Sequence, residues 1–318
     1  MERKACSPGK LILSGEHAVV QGCPALAMAV NREASVQFQS RTAPCLEIRL
    51  SGRPPRIYPL SELAGQLEAS RKKAAGDASA FPVPEDLLAV CAALRPPNSG
   101  GILSFESDLS TGAGLGSSAA FLLAMFRVLH PELPQEELEK LAVEGEHFQH
   151  GHSSGLDVAV SLRGGLQHFE NGVCSPVCLE SLPHFQVYDS GRPESSTGEC
   201  VTRSRQEFRN QPELLRDFRE VTGELLRGLQ QADPERWTRS IRKNHRLLCK
   251  LGVVPLPVQK GISDLEAAGF SAKVCGAGSV RGPAAGMVLV SGNAPHPVPD
   301  SWRRIDLQIT SRGTRILS

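Results

Sequence analysis

The 318-residue chain predicts an α/β protein of two units, on three observations. Short, partly alternating apolar segments fill its first third, as half-buried strands require. A glycine-rich turn near residue 115 then opens a compact apolar helix. Past residue 180, strand-like and helical segments alternate a second time. The boundary is therefore expected near 180, between units 1–180 and 181–318.

Residues 11–13, 34–39 and 46–50 read as strands. Residues 51–85 carry clusters of Pro, Gly, Ser, Lys and Ala and read as a mobile loop region. An apolar helix is expected over 118–129, and Pro134 followed by acidic residues starts another. Pro212 and Asp233-Pro234 open two amphipathic helices. The first carries Leu214, Leu215, Phe218, Val221, Leu225 and Leu229 on one stripe. The second stops at Leu251-Gly252, with glycine as the terminator. Residues 272–275 and 286–290 return to strand character. No internal repeat is evident.

Composition narrows the function classes. The chain is 40% hydrophobic and 22% charged, as an ordinary soluble globular protein is. Its 35 basic and 34 acidic residues give no field that would attract nucleic acid. Two Trp and two Tyr leave few platforms for stacking bases. Nine cysteines, an odd number with no C-x-x-C, read as reduced thiols of a cytosolic protein. Cys174 and Cys178 lie close but lack the further ligands of a zinc site. The first residues lack the apolar core of a signal peptide, and no apolar run reaches membrane-spanning length. A soluble cytoplasmic protein is expected.

Three segments carry chemistry. Residues 112–118, Gly-Ala-Gly-Leu-Gly-Ser-Ser, precede the apolar helix. Glycine lets backbone approach a phosphate closely, and the helix N-terminus adds its positive dipole end. The segment is neither a Rossmann fingerprint nor a Walker A loop, and a plain glycine-rich turn remains the other reading. The second segment sets Lys10 after Pro8-Gly9 at the entry to a strand; alone, it reads as a solvated lysine at a strand edge. In the third, Asp157 stands in an apolar run close after Ser154, which can cap a helix. That carboxylate is either an N-terminal helix charge or functional. His147, His150 and His152 do not have the H-E-x-x-H spacing of a metal site.

Together these segments resemble the GHMP kinase superfamily and, within it, the mevalonate kinase family. That family opens with Pro-Gly-Lys and then Gly-Glu-His-Ala-Val-Val, matched here by Pro8-Gly9-Lys10 and Gly15-Glu16-His17-Ala18-Val19-Val20. Its phosphate loop stands unchanged at 112–120. Its Glu…His-Gly-x-x-Ser-Gly-x-Asp block matches Glu146, His150-Gly151, Ser154-Gly155 and Asp157. Weaker echoes lie at 189–196, at Asn244 and at 273–278. The resemblance spans residues 5–290.

The resemblance implies the two-domain GHMP kinase fold: an N-terminal α/β domain with a left-handed βαβ crossover and a C-terminal ferredoxin-like domain. ATP and acceptor would meet in the cleft between them. It implies Asp157 as the catalytic carboxylate and Lys10 as the cation that stabilises developing negative charge. Backbone of Gly112, Ala113, Gly114, Leu115, Gly116, Ser117 and Ser118 would hold the nucleotide phosphates. Ser118 and Glu146 would hold Mg²⁺, hard oxygens for a hard cation. Glu16, His17, Ser196, Gly276 and Ala277 would line the acceptor side. The implied activity is phosphorylation of the 5-hydroxyl of mevalonate; homodimerisation is implied by the resemblance alone. Phosphomevalonate kinases share the fold but tend to have Tyr where His17 stands. Galactokinases have Asp-Tyr where Ala18-Val19 stands. A non-catalytic homologue is the reading from another class, and the presence of Lys10, Ser118, Glu146 and Asp157 counts against it.

Two departures stand out. The family's glycine run after Gly276-Ala277-Gly278 is replaced by Ser279-Val280-Arg281-Gly282-Pro283. Side chains there are expected either to block close backbone approach or, through Arg281, to supply a phosphate contact. Ser110-Thr111 replaces the proline usual before the phosphate loop.

Overall fold

Strand β1 (Glu2–Ser14) runs 13 residues despite containing Pro8 and Gly9. The irregularity is absorbed locally: its register against β2 (Ala25–Ser40) shifts between Pro8 and Gly9 and again between Ile12 and Ser14, the places a sheet tolerates such residues. A Cβ on Gly9 would lie 2.4 Å from Leu109 and 2.7 Å from Leu115 O, so the chain passes there only as glycine. In this computed structural model, residues 2–74, 84–109, 112, 114–150, 153–179, 182–293 and 295–317 are described.

The first sheet has the order β12-β1-β2-β5-β3-β4, with β6 also on β2 and β7 on β6. Its strands are β3 (Cys45–Leu50), β4 (Arg56–Pro59), β5 (Gly101–Ser107), β6 (Leu166–Glu170), β7 (Val173–Pro176) and β12 (Arg315–Leu317). Pairs are antiparallel except β3 with β5. The connection between those two holds β4, α1 (Leu60–Ala74) and α2 (Pro84–Leu94). The loop expected over 51–85 is therefore corrected: a strand and a four-turn helix occupy much of it, while 75–83 lie outside the described residues. Leu60, Leu63 and Leu67 give α1 its inward stripe, too sparse among Ser, Lys and Glu to register as periodicity.

Helices α3 (Ser117–Leu129) and α5 (Leu156–Arg163) pack on this sheet, and α4 (Gln135–His150) packs on those two helices. Leu122, Met125 and Phe126 of α3 pack with Leu103 and Phe105 of β5 in one core cluster. Burying that helix against the sheet aims its N-terminus at Lys10.

The second sheet has the order β11-β8-β10-β9, all antiparallel, from β8 (Phe185–Asp189), β9 (Ser271–Cys275), β10 (Met287–Ser291) and β11 (Arg303–Ile305). Numbered within the unit this is 4-1-3-2, the ferredoxin-like order. Between the first two strands lie α6 (Thr197–Asn210), α7 (Glu213–Gln230), α8 (Pro234–Lys250) and α9 (Leu256–Ala267). Between the last two no helix occurs among the described residues. Asp233 caps α8 by accepting from Arg236 N at 3.0 Å, and Gly252 leaves it at φ 69°.

The sheets are not separate bodies. Leu11, Leu13, Leu26 and Met28 of the first share a core cluster with Leu289 of the second and with Leu225, Trp237 and Ile241 of α7 and α8. The chain also returns: β12 pairs with β1, and Arg315 grips Glu33 of β2 through its two terminal guanidinium nitrogens at 2.8 and 3.1 Å. All nine cysteines are free thiols. Among the described residues no helix is long and apolar enough to cross a membrane.

Candidate active site

Where the two sheets meet, a cavity of about 330 Å³ opens between β1, the N-termini of α3 and α5, the end of α4, and the loops at 193–197 and 276–278. Gly112, Gly114 and Gly116 stand at φ 76°, 88° and 70°. Alternate residues in this left-handed region turn successive N–H groups into a concavity that suits an anion, and α3 begins directly behind it. A Cβ on Gly112 would meet nothing within 4 Å, whereas one on Gly114 would sit 2.9 Å from Cys275 O. The loop is thus open toward the cavity and tight against β9. Ala113 lies outside the described residues.

Lys10 is sequestered rather than solvated, 4% exposed at its side chain. Its backbone N–H donates to Leu115 O at 2.9 Å. Its Nζ donates to Gly114 O at 3.0 Å and lies 3.1 Å from Asp157 Oδ2. Asp157 sits in the first turn of α5, as the reading of it as an N-terminal helix charge expects, and it also lines the cavity. Gly155 is the residue before that helix, and Ser154 Oγ accepts from Leu156 N at 3.3 Å.

Ser118, in the first turn of α3, donates its hydroxyl to Gln149 Oε1. Glu146, one turn before Gln149 on α4, is buried and lines the same wall. Sequence reasoning does not single out Gln149; the available signal was its i+3 spacing from Glu146, which puts both on one helix face.

His17 stands at φ 61° and is buried. Its Nε2 donates to Ala277 O at 3.0 Å, and its Nδ1 lies 3.3 Å from Ser204 Oγ. A carbonyl only accepts, so Nε2 carries the proton. Burial pushes the imidazole below its ordinary value, against the pull of its bond to Ala277. His17 is therefore a neutral strut across the cleft. Glu16 lines the cavity too, but its carboxylate is fully engaged. Lys273, 0% exposed, pairs with it and also donates to Ile12 O at 3.3 Å. A donor chain runs from Thr222 to Ser14 (2.7 Å), Ser14 to Asn244 (2.7 Å) and Asn244 to Glu16 (3.2 Å).

Gly276 and Ala277 line the cavity, with a Cβ on Gly276 falling 3.1 Å from Gly114 Cα. Ser196 does not line it: it caps α6, accepting from Glu199 N at 3.2 Å while Glu199 accepts from Ser196 N at 2.7 Å. Its neighbours Ser195 and Thr197 face the space instead.

The sequence profile of the GHMP kinases N terminal domain matches residues 86–165. The mevalonate kinase of Thermococcus gammatolerans is 34% identical to the chain over 291 residues, an alignment that covers 86% of each. The chain belongs to the mevalonate kinase family. The mevalonate kinase of Pyrococcus horikoshii is 32% identical, over 86% of this chain and 85% of its own. The crystal structure of Methanococcus jannaschii mevalonate kinase superposes with a TM-score of 0.75 at 21% identity, covering 98% of each chain; that likeness shows the fold.

The segment 279–281, which stands where the resemblance leads one to expect further glycines, is not part of the cavity lining. Arg281 pairs with Glu199 at 2.6 and 3.3 Å and donates to Glu194 O at 3.2 Å. Arg281 is thus engaged on α6, while Gly276 lies close against Gly114. Arg281, ahead of the bond from the Ser196 N–H, holds the Glu199 carboxyl down to about 2. Ser279 Oγ accepts from Ser195 N at 3.2 Å and donates to Arg281 O at 2.6 Å, while Val280 N donates to Ser195 Oγ at 3.1 Å. The replaced glycines have become a lock between 279–281 and 194–199.

Proposed function

We propose that the chain transfers the γ-phosphoryl group of ATP to the 5-hydroxyl of mevalonate, giving 5-phosphomevalonate and ADP. The observation that carries this reading is the Lys10–Asp157 pair, 3.1 Å apart, directly beneath the glycine cradle at the N-terminus of α3. Phosphoryl transfer asks a protein for position and charge compensation more than for covalent chemistry, and those are what the cavity offers.

In this reading the N–H groups of 112–118 hold the phosphates, and Asp157 takes the proton of the acceptor hydroxyl. An ammonium has three donors; Lys10 uses two on Gly114 O and Asp157, leaving one for the oxygen in transfer. Ser118 and Glu146 are of the hard-oxygen type that suits Mg²⁺. A cation held there would neutralise charge on the β- and γ-phosphates. On the acceptor side, Gly276, Ala277 and His17 form the wall, with Glu16 supporting it from behind and Ser196 fixing the rim through α6. The reading also divides the chain near residue 180, supported by strands β1–β7 in one sheet and β8–β11 in the other, with β12 rejoining the first. A cytoplasmic setting is supported by the nine free thiols; a homodimer rests on the family resemblance.

An already phosphorylated acceptor would call for further cations. Among the described residues lining the cavity, Lys10 is the one lysine or arginine. Arg281 is bound to Glu199, Lys273 is buried against Glu16, and Arg192 is not part of the lining. This favours mevalonate over phosphomevalonate.

The test is ADP release, coupled to a spectrophotometric readout, across mevalonate, phosphomevalonate and galactose. Mevalonate is expected to give the highest kcat/KM; preference for another acceptor would overturn the assignment. Asp157→Ala is expected to abolish turnover while ATP still binds, and turnover equal to wild type would remove Asp157 from its role.

A further inference from the structure

Gln149 and Glu146 share one face of α4 and one wall of the cavity. The Ser118 hydroxyl donates to Gln149 Oε1. A hydroxyl has one proton and two lone pairs, and a cation is bound by a lone pair. With its proton committed to Gln149, Ser118 keeps both lone pairs for the cavity. Gln149 is thus the partner that settles which way the hydroxyl points.

We propose that Gln149 is a positioning residue of the cation site, taking the Ser118 proton and so turning the hydroxyl lone pairs toward the divalent cation. This rests on reading Ser118 and Glu146 as the cation's ligands. An amide oxygen accepts the proton without placing a second carboxylate beside Glu146, where the triphosphate must approach. Partners that orient metal ligands in this way typically change metal affinity by about 10- to 100-fold.

The experiment is Mn²⁺ binding in the presence of ADP, followed by electron paramagnetic resonance, on wild type and four variants checked for fold by circular dichroism. Gln149→Leu is expected to weaken Mn²⁺ by about tenfold or more. Gln149→Glu, which also accepts, is expected to bind Mn²⁺ at least as tightly as wild type. Ser118→Ala is expected to weaken Mn²⁺, and adding Gln149→Leu to it to cost nothing further. In turnover assays Gln149→Leu should raise the Mg²⁺ concentration needed for half-maximal rate and leave the mevalonate KM in place. Unchanged Mn²⁺ affinity in Gln149→Leu beside a weakened Ser118→Ala would overturn the proposal alone. So would a further loss in the double variant, since Gln149 would then act other than through Ser118. Unchanged affinity in Ser118→Ala would overturn the cation reading and the proposal with it.

Discussion

Lys10 makes two contacts that matter at the level of single residues. It compensates Asp157, and it fixes the backbone of the glycine-rich loop through Gly114 O. Replacing it by Met leaves the Asp157 carboxylate and the Gly114 carbonyl without their donor at the cavity wall. We expect Lys10→Met to lower kcat by about 10²–10³-fold, the range for losing one preorganised charge-stabilising donor, with the fold retained. Steady-state kinetics beside a thermal melt will show this; an unchanged kcat would remove Lys10 from the reaction. Much of this site was legible as residue types at a spacing, but their engagement was not. Glu16 is a buried anchor and Ser196 a helix cap because of partners 257 and 3 positions away. Only the second of those partners lies within the reach of local pattern.

At the level of elements, the caps and stripes of α7 and α8 and the glycine turn before α3 stood out in sequence, since each depends on neighbours in the chain. The first half of β2 did not. Ala25 to Val30 is buried on both faces, so it lacks the alternation that marks a half-buried strand. The glycine-rich loop before α3 is local in pattern yet held from outside, by β9. Gly114 stands at φ 88° with Cys275 O where its Cβ would be. Gly114→Ala should therefore cost about 1–2 kcal/mol for the left-handed backbone, and push the loop off β9 as well. Gly52, at φ 74° with nothing within 4 Å, supplies the control. Calorimetry should find both variants less stable, but only Gly114→Ala should lose ADP affinity in a titration; equal ADP binding in the two would show that the contact with β9 does not shape the loop.

Over the whole molecule, a fully buried charge pair ties one sheet to the other. Glu16 follows β1, Lys273 lies within β9, and both are at most 1% exposed. Removing one partner leaves an uncompensated charge in the interior, which costs about 3–5 kcal/mol, whereas replacing both by apolar groups is often close to neutral. Glu16→Gln is accordingly expected to lose stability in urea unfolding, and Glu16→Met combined with Lys273→Met to regain most of it. A harmless single variant would show that the pair does not bind the sheets together.

The pairing of β1 with β12 bears on how the protein is made. The partner for the outer edge of β1 is translated on the order of 300 residues after it, a delay of roughly 15–60 s at usual rates of synthesis. Throughout that interval the first sheet carries an open edge, the feature from which strands of neighbouring chains recruit one another. The first sheet is thus incomplete for most of its own synthesis, and a segment made long after β1 closes its edge.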